Sequence, residues 1–99
     1  MPQFSIERLA PDRLRAVGEL GFATAAQALR AGLEQIVRDG EQVVDLSGVT
    51  TGDSAGVAVL VEWISAAATA GVALRYENVP PQMLAIARIS DLEDLLLRA

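Results

Sequence analysis

VVDLSGVTTGDSAG (Val43–Gly56), followed at once by the mainly apolar run Val57–Ile64, reads as a buried strand, a tight loop and the opening of a helix. Val43, Val44 and Leu46 are apolar strand formers, Gly48 and Gly52 punctuate the loop, and Asp53 and Ser54 are residue types that cap a helix. The first turn of a helix carries unpaired N–H groups and is locally electropositive. Ser54 is therefore an ordinary N-cap, a docking point or a phosphate acceptor.

Further elements follow in both directions. Phe4–Leu9 alternates apolar and polar residues, Pro11-Asp12 is a turn, and Leu14–Gly21 alternates again, which predicts an antiparallel hairpin. Thr24 and Gln27 have capping-box spacing, and Ala26, Leu29, Leu33, Ile36 and Val37 recur at helical intervals with Gln27, Arg30, Glu34 and Arg38 outside. Asp39-Gly40 stops that helix. Gln42–Leu46, reached after a helix, is expected to pair in parallel. The second helix is expected over Ala55–Ala70, stopped by Gly71, with a strand at Val72–Tyr76 after it. Pro81 suits the first position of a third helix through Ile89. Ser90 and Glu93 repeat the capping-box spacing before a short helix to Leu97. The order is ββαβαβαα: a single α/β domain over residues 1–99, with a four-stranded mixed sheet and about four helices packed mainly on one face.

Composition removes several function classes. The 99 residues contain neither cysteine nor histidine, so thiolate metal sites, the usual zinc sites and Ser-His or Cys-His catalysis are excluded; no metal ligand set and no cofactor are expected. A formal charge of −5, with scattered arginines as the only basic residues, disfavours nucleic acid and anionic lipid. No leader pattern opens the chain and no apolar run approaches membrane-spanning length, so a soluble cytoplasmic protein without membrane insertion is expected. For an enzyme there remains Asp45 with Asp53, two carboxylates flanking a loop that could hold magnesium or do acid–base work. No phosphate-binding glycine loop with its lysine accompanies them. Both aspartates are read instead as loop supports: Asp45 at the end of a strand, Asp53 orienting the turn.

The order of elements, VVDLSGV, the DSAG turn and GELGFATAAQALRAGL (Gly18–Leu33) resemble the STAS family, named for sulfate transporters and anti-sigma-factor antagonists. LVEWISAAATAGVALRYENVPPQMLAIARISDLEDLL (Leu60–Leu96) is most similar to its MlaB-like branch, cytoplasmic subunits of the ABC transporter that moves phospholipids to maintain outer-membrane asymmetry. The resemblance implies non-enzymatic work through protein contacts, peripheral to the inner membrane. The partner would be the transporter's ATPase subunit or, in the antagonist reading, an anti-sigma kinase that phosphorylates the serine matching Ser54.

On a helical projection Val57, Leu60, Val61, Ile64 and Ala68 share the face expected to meet the sheet, and Ala55, Ala58, Glu62, Ser65 and Thr69 lie opposite. Val59, Trp63, Ala66 and Ala70 form an apolar flank beyond what one sheet needs. The expected partner site is Ser54, Ala55, Ala58, Val59, Glu62 and Trp63. Trp63 is either its anchor or a plug at the edge of the core.

Overall fold

The computed structural model describes residues 3–37 and 40–98. Its elements run β1 (Phe4–Ala10), β2 (Arg13–Leu20), α1 (Ala25–Ile36), β3 (Gln42–Gly52), α2 (Ser54–Thr69), β4 (Leu74–Glu77), α3 (Pro81–Ile89) and α4 (Glu93–Arg98). The four strands lie side by side in chain order. β1 and β2 form the expected antiparallel hairpin, and β3 and β4 add in parallel through the α1 and α2 crossovers. The last strand begins two residues later than the sequence predicted, and the Asp39 half of the helix-stop signal lies outside the described residues.

Alternation separates the two sheet faces. Leu14, Ala16, Val44 and Leu46 are buried beneath the helices, whereas Ser5, Glu7, Arg15 and Arg75 are exposed. Pairing register sets Glu7, Arg15, Asp45 and Glu77 in one row across the open face. Arg13 closes on Glu77 there, with both terminal nitrogens donating to Oε1 at 2.7 and 2.8 Å.

β3 runs six residues past its expected end, because Ser47 and Gly48 belong to a bulge instead of a loop. The pairing steps from Arg15–Asp45 to Val17–Gly48, setting two residues of β3 against one of β2. The Asp45 carboxylate accepts from the Ser47 N–H at 2.9 Å, so the bulged residue keeps a partner. Gly48 fits there for lack of a side chain: a Cβ would sit 2.7 Å from the Ala16 carbonyl oxygen.

Both capping boxes are absent. Thr24 is buried and turns its hydroxyl backwards, donating to the Glu19 carbonyl at 2.9 Å and accepting from the Gly21 N–H at 3.1 Å. Gln27 instead donates to the Phe4 carbonyl at 3.0 Å, tying α1 to β1. Ser90 ends α3, and Glu93, the first residue of α4, pairs with Arg88 at 2.7 Å. At Thr24 and Gln27 carbonyls of β2 and β1 outcompete the local cap; Glu93 turns to Arg88, five residues back.

The buried stripes are also rotated from expectation. In α1 the buried residues are Ala28, Gly32 and Ile36, while Ala26 and Val37 are exposed. In α2 Gly56, Leu60, Trp63 and Ala67 recur every three or four residues, flanked by buried Val57 and Val59, and Ala68 is exposed. The cause is helix on helix: α2 rests on α1 as well as on the sheet. The Trp63 indole enters this seam, 0 % exposed, against the backbone of Gly32 and with its ring centroid 6.1 Å from that of Phe4.

Candidate protein-docking surface

Two parallel crossovers bring the N-terminal ends of α1 and α2 together beyond the ends of β2 and β3. Asp53 joins them. It is the N-cap of α2, with Oδ1 accepting from the N–H groups of Ala55 and Gly56 at 2.9 and 3.1 Å. Its Oδ2 accepts from the N–H of Phe22, in the loop before α1, at 3.1 Å. The Phe22 hydrogen bond, then those from Gly56 and Ala55, hold this carboxyl below its ordinary range, so it is anionic at neutral pH. Asp53 takes the capping role that Ser54 was offered. Ser54 is the first residue of the helix, exposed, and its hydroxyl makes no hydrogen bond among the described residues.

A groove of about 440 Å³ opens between the first turns of the two helices. Ala55, Ala58 and Glu62 form one wall, Ala25, Ala26 and Leu29 the other, and buried Val59 lies beneath. It adjoins a depression of about 330 Å³ whose lining includes Glu19, Thr51 and Asp53. Phe22 borders both and is 87 % exposed, an unusual position for a phenylalanine.

Of the six residues expected to meet a partner, Ala55, Ala58, Val59 and Glu62 line this groove and Ser54 stands beside it. Trp63 does not belong. The flank that carries it is covered by α1, so the indole is a core plug and its role as an interface anchor is withdrawn. Phe22 and the α1 wall were not anticipated as site residues. Phe22, a lone aromatic between Gly21 and Thr24, was the signal available for them.

Asp45 accepts from the Asn78 side chain at 3.0 Å, the main cause that holds its carboxyl below the ordinary value, with the Ser47 N–H of the bulge adding to it. Eight steps of largely extended chain separate it from Asp53, on the order of 25 Å. The two carboxylates therefore do not flank one loop and cannot act as a pair. Among the described residues no cluster of potential ligands could hold a metal ion.

The family model described as "Mlab, STAS domain" matches residues 7–98. The chain belongs to this family. STAS domains are mostly regulatory and interaction modules, and this one carries an exposed, mainly apolar groove. The fold recurs in the crystal structure of a "putative anti-sigma factor antagonist" from Thermotoga maritima, at a TM-score of 0.72 and 15% sequence identity, over 98% of this chain and 84% of that one. No curated protein matches the sequence.

Proposed function

We propose that this STAS domain is a non-enzymatic, MlaB-like subunit that binds and supports the ATPase subunit of an ABC transporter for phospholipid trafficking and outer-membrane lipid asymmetry. It would work in the cytoplasm and reach the inner membrane through that partner; among the described residues no helix is long and apolar enough to cross a membrane. One observation carries the docking role: an alanine-walled groove with an exposed phenylalanine at its mouth. Small walls admit close approach of another backbone, and a desolvated aromatic anchor commonly contributes ~2 kcal/mol or more to binding.

The exposed hydroxyl of Ser54 supports a second reading, an anti-sigma-factor antagonist switched by phosphorylation. Asp53 already occupies the N–H groups of Ala55 and Gly56. A phosphate on Ser54 would add about −1.5 to −2 charges beside that carboxylate, with fewer helix donors left to receive it. Against an apolar partner the charge would be desolvated unpaired, at a cost of several kcal/mol.

Co-expression with a transporter ATPase subunit of the same genome, and separately with an anti-sigma serine kinase, followed by co-purification and intact-mass measurement, tests both readings. The transporter reading expects a stable complex lost in Ala58→Arg and in Ser54→Asp while helical circular dichroism is retained. A complex with the kinase and an added phosphate would replace it. Full retention of the ATPase by Ala58→Arg would remove the groove from either account.

A further inference from the structure

Resting on the docking role proposed above, we infer that the groove receives an amphipathic helix of the partner, apolar along one face and flanked on that face by arginine or lysine. Both walls are helices, whose main-chain groups are already paired within α1 and α2 beyond the first turn. A partner strand would find no ladder to join, so contact must come through side chains. From Ala55 to Glu62 the groove is two helical turns long, about 10 Å. Alanine walls at that spacing accept a ridge of side chains from a third helix.

The flanking charge follows from the rim. Three charged residues border the groove and its adjoining depression, Glu19, Asp53 and Glu62, and all are carboxylates. None has an ion-pair partner among the described residues, whereas Glu77 and Glu93 are each paired with arginine. The N-termini of α1 and α2 oppose this with about +0.5 charge each, which leaves the rim negative by about two charges. Glu19 and Asp53 lie at the mouth and Glu62 two turns along α2. A complementary helix therefore carries its basic residues about seven positions apart, on either side of the apolar ones. The exposed ring of Phe22 offers the nearer guanidinium or ammonium a face to stack on.

The test is selection from a phage-displayed library of helical peptides, with leucines fixed one turn apart and the flanks randomised, against the purified chain. Selected peptides should be enriched in arginine and lysine over aspartate and glutamate at flanks two turns apart. Their synthetic forms should bind at least about tenfold tighter than charge-reversed versions by fluorescence anisotropy at low salt. Binding should be lost in Ala58→Arg, and the double variant Glu19→Lys with Glu62→Lys should invert the charge preference. No selected binders, selection without charge bias, or peptides indifferent to Ala58→Arg would overturn the inference. Its failure is separable from that of the docking role: loss of the ATPase complex in Ala58→Arg together with peptides lacking charge bias leaves the groove as the site and removes the basic helix. Peptides behaving as expected without an ATPase complex keep the basic helix and remove the partner assignment.

Discussion

Replacing Gly32 by alanine should be costly, and the cost should depend on Trp63. A Cβ at position 32 would lie 2.2 Å from both Cε2 and Nε1 of the indole and 2.6 Å from Cζ2. Ordinary carbon contacts are about 3.5–4.0 Å, so the ring would have to retreat by more than ~1 Å. It is fully buried between α1, the sheet and the Phe4 ring, in an interior as dense as an organic crystal. Overpacking of this kind costs about 1–3 kcal/mol, against the ~0.5–1 kcal/mol that alanine gains over glycine within a helix. The net loss, about 1–2 kcal/mol, lowers the melting temperature by roughly 4–16 °C in a domain of this size. Trp63→Leu removes the clashing atoms at its own cost of order 2–4 kcal/mol. In that background Gly32→Ala should become stabilising by ~0.5–1 kcal/mol, since only the helix preference remains. Urea denaturation of the four proteins, followed by far-ultraviolet circular dichroism, gives the coupling energy. Equal effects of Gly32→Ala in both backgrounds would show that the indole is not wedged against α1. The buried-plug assignment would fall with that result, and the interface anchor would return.

Asp53→Ala removes the cap of α2 and the tie to the Phe22 loop, and should cost ~1–2 kcal/mol at pH 7 in urea midpoints. Because the folded carboxyl sits below its ordinary value, its contribution is present above the unfolded pKa and lost as pH falls through the lowered folded one. The gap between variant and parent should thus close on acidification below about pH 4. Tyr76, the chain's one tyrosine, donates to the Leu60 carbonyl at 2.6 Å, and burial raises its pKa well above the usual phenol value. Stability should be level with respect to this group below about pH 10 and fall above it, with phenolate absorbance appearing only as the chain unfolds; an ordinary titration ahead of unfolding would contradict its burial. Phe22→Ser should leave stability within ~0.5 kcal/mol while weakening the partner at least about tenfold by calorimetry, the reverse of any Trp63 substitution. Ala58→Leu, which fills the groove from within, should raise the melting temperature by a few degrees, equivalent to about 1 kcal/mol, and abolish docking in a pull-down.

Element order and type were legible in the sequence because they rest on periodicity and on glycine and proline, which act locally. Pro81 at the start of α3 and the hairpin turn at Pro11-Asp12 are of this kind. Helix rotation was not legible. Projecting α2 against one flat sheet put Ala68 inside and could not choose between anchor and plug for Trp63, because a projection has no place for the second helix that covers the other flank. The capping boxes failed for a related reason: Thr24 and Gln27 have the right spacing, but the Glu19 and Phe4 carbonyls, from other strands, compete for the same side chains. Half of the candidate surface was readable because it lies on one helix. The other wall comes from α1, some thirty residues earlier, and only the register of the crossovers shows that the two meet.

The seam between α1 and α2 accounts for both the stability of this domain and its groove. The helices follow parallel strands and so run in the same direction, which sets Ala25 and Ala26 near Ala55 and Ala58 at one end and Gly32 against Trp63 farther along. Close helix packing needs either small residues on both sides or one large residue received by a gap on the other. The Trp63 end is of the second kind and is sealed. At the other end small residues face small residues across the groove, and the two N-termini are tied through the Asp53 carboxylate instead of through apolar contact. Apolar wall is left there that the described residues do not cover, at the end where Ser54 is exposed. With the far end sealed, a partner docking as proposed would meet a groove already formed, and little of its binding energy would be lost to ordering this domain.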